Sequence, residues 1–224
     1  MTRLTLRLLW VIPTLLLCAC SPTLNSYVDS ISLAFSSPQD AVLTEQDMQE
    51  GGPEAIYVRR DQGAQLVLVL RSKQANGEFW KSADSGILQF SGNRLVQTAG
   101  FAENLLDTRG QGLRQLEAVT LQSAEQQQRQ WQTDWSVAEH SGFAASSVIS
   151  KRSVDTLRLW DTEFKTIRLD EQVSFADGTV LTNRYWFDAQ TGDLLRTIQQ
   201  PAPFWHEMDV TFISKAWQLK RSRL

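Results

Sequence analysis

From about residue 54 onward, short apolar runs are separated by turn-forming residues, which is the pattern of antiparallel strands. Trp131, Thr133, Trp135 and Val137 alternate with polar residues, which predicts a strand with one buried face. The run from Leu66 to Leu70 is apolar throughout, which predicts a central strand covered on both faces. Further strands are predicted at about residues 55–60, 79–80, 87–90, 94–98, 145–154, 164–169, 171–176, 181–187, 194–198 and 210–213.

Tight turns separate these runs and favour hairpins. Asn76-Gly77 and Asp177-Gly178 are the clearest signals, because these residue pairs tolerate the left-handed backbone that a two-residue turn needs. About ten short strands at this spacing predict an all-β fold, an antiparallel β-barrel-like or sandwich domain.

Two segments ahead of the strands have helical features. Apolar residues recur at helical spacing and predict a short N-terminal helix from about Thr23 to Phe35, ended by Ser36-Ser37-Pro38. Thr44 and Asp47 have the spacing of a capping box and predict the start of a second short helix.

The first twenty residues predict an export signal that ends at a lipid-modified cysteine. Arg3 and Arg7 give a basic start, and Leu8–Ala19 form an apolar run that is too short to span a membrane. Leu17-Cys18-Ala19-Cys20-Ser21 resembles the bacterial lipobox, in which Cys20 is acylated and the chain is cut just before it. Cleavage without lipid attachment is the alternative.

Acyl chains on Cys20 would tether the protein to a membrane, since each buried methylene contributes about 0.8 kcal/mol of affinity. In bacteria with this lipobox, aspartate after the cysteine commonly marks retention at the inner membrane. Ser21 therefore favours the outer membrane, with the protein facing the periplasm. We predict a signal peptide over residues 1–19 and a single periplasmic β-rich domain over residues 20–224, whose residues 20–53 form a lipidated lead and helical segment.

Removal of the signal would leave an acidic chain. Lys and Arg fall from 22 to 20 against 25 Asp and Glu, and a net charge near −5 argues against nucleic acid as a partner. With Cys18 removed and Cys20 acylated, no thiol remains for a disulfide. Seven Trp residues remain, and they either fill a large β core or form a sugar- or lipid-binding surface.

The sequence has no recognised catalytic motif, and we predict no enzyme activity, metal site or cofactor. It contains no Gly-x-Ser-x-Gly, no His-Glu-x-x-His and no phosphate-binding glycine loop. His140 and His206 are isolated, and such histidines are most often surface or structural groups. The acid pairs at residues 170/171 and 207/209 suit glycoside hydrolysis only if two carboxylates flank a cleft, and surface charge is the simpler interpretation.

The C-terminus is basic, with Lys215, Lys220, Arg221 and Arg223. These residues could contact anionic lipid or an acidic polymer, each worth about 1 kcal/mol near a charged surface. A solvated tail is the alternative.

Two blocks of sequence carry a family resemblance. The first is Trp80-Lys81-Ser82-Ala83-Asp84 followed by Gly92–Gly100, and the second is Phe175–Thr179 leading to Asn183–Asp188 and Thr191-Gly192. Together with the lipobox, these blocks resemble the YjbF/GfcB family of group 4 capsule and exopolysaccharide lipoproteins. The family pattern usually places glycine directly before the arginine of the first block, whereas here Asn93 intervenes.

The resemblance implies a β-barrel-like periplasmic domain with a role in making or exporting surface polysaccharide, and no catalytic residues. Trp80, Arg94, Tyr185 and Trp186 lie in the matching blocks and are our candidates for contact with polysaccharide or a partner protein. Tryptophan rings can stack on sugars, and a guanidinium can hold an acidic sugar. Alternatively, both Trp residues pack in the core, and Arg94 pairs with Asp84 or another acid.

Three classes of function fit these features. The first is a non-enzymatic accessory lipoprotein for capsule or exopolysaccharide assembly or export, in contact with polysaccharide or export proteins. The second is a lipid- or lipoprotein-binding carrier, which requires an open barrel interior. The third is a glycan-trimming hydrolase, which requires two carboxylates about 5–10 Å apart across a cleft.

Overall fold

The computed structural model describes residues 39–44, 46–48, 52–110, 113, 128–136 and 141–223. The all-β prediction is confirmed, because these residues form twelve antiparallel strands in one sheet together with one α-helix. The elements are β1 (Ala55–Arg60), β2 (Leu66–Gln74), β3 (Gly77–Lys81), β4 (Ile87–Ser91), β5 (Arg94–Ala99), β6 (Leu105–Arg109), β7 (Arg129–Trp135), β8 (Phe143–Leu159), β9 (Thr162–Phe175), β10 (Val180–Asp188), β11 (Leu194–Gln199), β12 (Met208–Thr211) and α1 (Ile213–Ser222).

The sheet curls into a nearly closed barrel, so the barrel prediction holds and the sandwich alternative does not. Its strand order is β5-β4-β3-β2-β1-β12-β11-β10-β9-β8-β7-β6. Within the described ranges, side chains rather than a backbone ladder join β5 to β6. The Leu105 N–H donates to Thr98 Oγ1 at 2.9 Å, and the Gln97 amide donates to the Leu106 carbonyl at 2.9 Å. We call this join the β5–β6 seam.

The local turn signals place the hairpins correctly. The strand predicted over residues 55–60 is β1, and Gly178, with φ of 87°, turns β9 into β10 as predicted. β9, however, is unbroken from residue 162 to 175, where the sequence predicted two strands. Asp170 and Glu171 resemble a break between two strands because both are charged. Successive side chains of a strand point to opposite faces, so both residues can lie within one continuous strand.

The helical predictions fare less well. The N-terminal helix predicted over residues 23–35 lies outside the described residues. The Thr44 N–H does donate to Asp47 Oδ2 at 2.8 Å, as in a capping box, and residues 46–48 form a turn. The last strand ends at Thr211 rather than residue 213, because Ile213 begins α1, which the sequence analysis missed. Among the residues described, no helix is long and apolar enough to span a membrane.

One face of every strand builds the barrel core. Ile56 and Val58 of β1, Leu68 of β2, and Leu169 and Val173 of β9 point inward and are almost fully buried. The alternation predicted for β7 is confirmed over residues 131–135, since Trp131, Thr133 and Trp135 are buried and Gln130 and Gln132 are exposed, while Val137 lies outside the described residues.

A second apolar layer lies on the outside of the wall, where α1 packs. Ile213 contacts Tyr57 and Val67, and Ala216 and Leu219 pack with Leu157, Phe164 and Leu195. This layer explains why residues 66–70 are apolar throughout: Leu68 faces the core, and Val67 faces the apolar layer beneath α1. On the core face of β2 the covering is incomplete at the start of the strand, where Leu66 remains 40% exposed.

Candidate functional site

Two of the predicted site residues meet inside the barrel, on a third residue that the sequence analysis had interpreted as surface charge. Arg94 opens β5, Tyr185 lies in the middle of β10, and Glu171 lies on β9, which pairs with β10. All three side chains face inward, and Glu171 and Tyr185 are 0% exposed. The surface interpretation is therefore wrong for Glu171, although it lies only one residue from Asp170.

The Glu171 carboxylate is saturated with hydrogen bonds. Its Oε1 accepts from Arg94 Nη2, in an ion pair, and from Ser147 Oγ at 2.5 Å. Its Oε2 accepts from the Tyr185 hydroxyl at 2.9 Å and, at the longer distance of 3.4 Å, from the Asn183 amide. The interior network formed by these five residues connects β5 to the consecutive strands β8, β9 and β10, which lie far from β5 in sequence.

Burial and charge act in opposite directions in this network. Burial raises the pKa of Glu171, but the charge and hydrogen bonds of Arg94 outweigh it, so the pKa lies below the ordinary glutamate value. Burial likewise lowers the pKa of Arg94, and the Glu171 carboxylate reverses this, so the pKa is raised. Burial and the negative Glu171 hold the pKa of Tyr185 well above its usual range. Both members of the ion pair are charged, and the tyrosine is neutral, at physiological pH.

Aromatic rings and other side chains fill the space around the network. The Arg94 guanidinium lies 4.3 Å from the centroid of the Trp131 ring. The cavity between Arg94, Trp131, Asn183 and Gln199 measures about 20 Å³, which has room for about one water molecule. An acyl chain does not fit in this part of the interior, so the geometry does not favour the lipid-carrier alternative.

The acid pairs do not form a two-carboxylate cleft. Asp170 faces outward and is held by Arg168 through hydrogen bonds of 2.7 and 2.9 Å, whereas Glu171 faces the core. Asp209 is likewise held by Arg196, at 2.6 and 2.9 Å. Within the described part of the chain, no three His, Cys, Asp or Glu side chains cluster as a metal site. His206 is exposed and lies 3.6 Å from Asp61, and His140 lies outside the described residues.

Trp186 lies on the outer face of the wall in a second Arg–carboxylate cluster. Its ring lies between the guanidiniums of Arg168 and Arg196, whose carbons are 5.5 and 5.1 Å from its centroid. The Trp186 indole N–H donates to Asp155 at 2.9 Å, and this bond lowers the pKa of Asp155. Only 7% of Trp186 is exposed, so the two arginines, rather than solvent, cover its faces. We call Trp186, Arg168, Arg196, Asp170 and Asp209 the outer cluster.

The remaining predicted site residues lie elsewhere. Trp80 is 1% exposed and packs edge-to-face on Phe212 at 6.1 Å, so its ring offers no face to a sugar in solution. Arg94 pairs with Glu171 rather than Asp84, which accepts a hydrogen bond from Ser82. The predicted lipid-attachment residue Cys20 lies outside the described residues. Trp80 thus packs in the core, whereas Trp186 is buried on the outer face of the wall.

The basic C-terminus is largely docked onto the barrel. Lys220 donates to Asp161 at 2.7 Å, and Arg223 forms bonds of 2.7 and 2.8 Å to the buried carboxylate of Asp188. This ion pair and neighbouring N–H groups overcome burial and lower the pKa of Asp188. These residues therefore do not form a solvated tail.

The sequence analysis missed an aromatic pocket at one end of the barrel. A cavity of about 250 Å³ is bordered by Trp135, Phe143, Phe175 and Phe204. Phe204 is 47% exposed and meets Trp135 edge-to-face at 5.3 Å. Pro203 also borders this cavity.

The fold and the site define a nearly closed β-barrel whose interior is filled by side chains around the network. A family model described as group 4 capsule polysaccharide lipoprotein gfcB, YjbF matches residues 28–213. The chain belongs to this family of capsule-associated lipoproteins, which confirms the resemblance found in the sequence.

Curated relatives and a solved structure agree with this assignment. The uncharacterized lipoprotein GfcB of Escherichia coli K12 is 24% identical over 215 residues, which cover 90% of this chain and 95% of GfcB. The uncharacterized lipoprotein YjbF of the same organism is 26% identical over 206 residues, covering 91% and 95%. The crystal structure of the hypothetical lipoprotein YmcC from E. coli K12 matches with a TM-score of 0.68 at 20% identity, covering 87% of this chain and 96% of that chain, and shares the fold.

Proposed function

We propose that this protein is an outer-membrane lipoprotein, anchored through acylated Cys20 and facing the periplasm, that assists capsule or exopolysaccharide assembly or export by binding rather than by turnover. The observation that carries the proposal is the family match over residues 28–213, in a chain whose first twenty residues have the lipoprotein pattern.

The geometry supports binding on the outside of the barrel. The interior network neutralises its buried carboxylate with an ion pair and three further hydrogen bonds, so Glu171 is not poised to donate or accept a proton. Concave, partly apolar surfaces that suit a ligand or partner lie instead at the ends of the wall, where Phe204 is exposed.

The anchor is tested by a pair of cysteine variants in the native host. With a radiolabelled or alkyne-tagged palmitate precursor, we expect Cys18→Ser to label like wild type, because its thiol is in the predicted leader. Cys20→Ser should lose the label, since it lacks the acylated sulfur. Fractionation of wild type should place the protein in the outer membrane. Labelling of both variants, or recovery only in the inner membrane, would contradict the proposed anchor.

The role in polysaccharide production is tested by deletion and complementation. We expect deletion to lower the amount or change the length of surface polysaccharide, and wild-type protein to restore both. The Cys20→Ser protein, expressed at the same level, should restore neither. Unchanged polysaccharide in the deletion strain would overturn the proposed function.

A further inference from the structure

A second pocket lies near the start of α1. It is formed by the β2–β3 turn, the β4–β5 turn and the first turn of α1, and its volume is about 320 Å³. We call it the Lys215 pocket. Its size is within the range of small-ligand sites, and its walls come from three separate parts of the chain.

The floor of the Lys215 pocket is apolar. Phe90 and Phe212 meet edge-to-face there, with ring centroids 5.6 Å apart, and both are nearly fully buried. Lys215 extends over the second ring, with Nζ 4.7 Å from the Phe212 centroid. The pocket therefore lies over a packed aromatic layer, with a positive charge at its edge.

A close backbone approach, a tight turn and a hydrogen bond define the walls of the pocket. A Cβ on Gly77 would lie 2.1 Å from the Phe90 carbonyl oxygen, so the β2–β3 turn can approach β4 this closely only with glycine. Gly92 and Asn93 have φ of 55° and 67°, as in a tight type I′ hairpin turn. The Gln199 amide donates to the Asn93 carbonyl at 2.9 Å and ties this turn to β11.

The two lysines of the pocket differ in whether a carboxylate lies beside them. Lys73 lies 3.1 Å from Glu54 and 3.6 Å from Glu78, and these carboxylates outweigh burial and raise its pKa. Lys215, by contrast, has no carboxylate partner among the described residues, and the side chains of Ser91 and Asn93 have no hydrogen-bond partner there either. One cation and two uncharged polar groups are thus available to a ligand.

We propose that the Lys215 pocket binds a uronic-acid residue of a glycan. Lys215 pairs with the sugar carboxylate, and Asn93 and Ser91 bond its hydroxyls above the packed Phe90–Phe212 layer. This assignment rests on the proposed function, and it names the ligand class that the protein would contact. It also gives a role to Asn93, the residue by which the first block departs from the family pattern.

The test is calorimetric titration of the detergent-solubilised full chain with an oligogalacturonate hexamer and with the same hexamer after its carboxyl groups are reduced to alcohols. We expect the acidic hexamer to bind and the reduced hexamer to bind about tenfold more weakly or not at all, as expected for loss of a charge-assisted hydrogen bond. Binding of the acidic hexamer should also weaken with salt.

Matched variants locate the site. Lys215→Gln should lower the affinity for the acidic hexamer about tenfold, and Lys215→Arg should largely preserve it. Asn93→Gly removes the amide, suits the left-handed turn and should cost severalfold in affinity. Lys151→Gln removes an exposed lysine on β8 and should change nothing. Urea unfolding of each variant checks that the fold is intact.

Three results would overturn the site. These are wild-type affinity in Lys215→Gln, equal binding of the two hexamers, or no binding of the acidic hexamer. None of them affects the proposed function, which the deletion strain tests independently. Conversely, unchanged polysaccharide in that strain with Lys215-dependent binding in solution would overturn the proposed function and keep the site.

Discussion

The interior network, with the Trp131 ring beside it, and the outer cluster both combine arginine, carboxylate and tryptophan, but in opposite environments. Inside, the Arg94 and Glu171 side chains are 4% and 0% exposed. Outside, the side chains of Arg168 and Arg196 are 29% and 32% exposed and stay partly in water. Half-exposed ion pairs contribute little, whereas a buried charge left without its partner is strongly destabilising. Burial, rather than the identity of the residues, therefore determines how much each group of residues contributes to the free energy of unfolding.

The largest expected effect comes from Glu171→Gln, which leaves the Arg94 charge buried without a counter-charge. We expect the free energy of unfolding to fall by about 3–5 kcal/mol, the usual cost of breaking a buried pair. Urea unfolding followed by tryptophan fluorescence measures it. Glu163→Gln, which breaks the exposed pair with Arg158, serves as the control and should unfold like wild type. Equal urea-unfolding midpoints for the two variants would show that the buried and the exposed ion pairs contribute equally to stability.

The difference in unfolding free energy between wild type and Glu171→Gln should also depend on pH. The pKa of Glu171 in the folded protein lies below its ordinary value of 4.5, so the pair stabilises the fold fully above about pH 4.5. This stability is lost as the pH falls from 4.5 through the lowered folded-state pKa, where the carboxylate takes up a proton. The gap in unfolding free energy between wild type and Glu171→Gln should therefore narrow below pH 4.5. A gap of constant size from pH 7 to pH 3 would argue against an ionised Glu171.

A smaller loss is expected from Tyr185→Phe. The variant keeps the ring in the core and removes one hydroxyl that donates to Glu171 at 2.9 Å. We expect a loss of about 1.5–3 kcal/mol, the range for hydrogen bonds to charged groups. The same urea titration measures it, and a change below about 0.5 kcal/mol would mean that the hydroxyl adds little to the network.

The smallest effect should come from the outer cluster. Arg196→Gln removes one of the two guanidiniums beside Trp186 together with the pair to Asp209, and we expect a loss of about 1 kcal/mol or less. High salt should shrink the difference from wild type, since the groups are half-exposed. A loss as large as that of Glu171→Gln would show that the outer cluster, too, behaves as a buried site.

Local signals in the sequence were sufficient for much of the wall. Residues 55–60 and the Asp177-Gly178 turn were placed correctly, because alternation and turn chemistry depend only on neighbouring residues. The helix α1 was missed because its basic residues suggested a tail, although Ile213, Ala216 and Leu219 have the spacing of an apolar helical face.

The site was less accessible to sequence reasoning because its contacts are long-range. Arg94 and Glu171 are 77 residues apart, and no local pattern indicates that one neutralises the other. Even so, the family blocks pointed to two members of the network, Arg94 and Tyr185. The exposed Phe204 and the Lys215 pocket depend on how turns from distant parts of the chain meet, so only the three-dimensional structure could bring them into view.

The β5–β6 seam decides where this wall is weakest. In the part of the chain that the structure describes, two hydrogen bonds, one to a threonine hydroxyl and one from a glutamine amide, join the ends of the sheet, whereas each inner strand is paired on both sides. Separation of β5 from β6 should therefore cost less free energy than opening the barrel between any other pair of strands. On heating or under force, the barrel should open first at the β5–β6 seam. β11 and β12, in the middle of the strand order, should lose their strand pairing last.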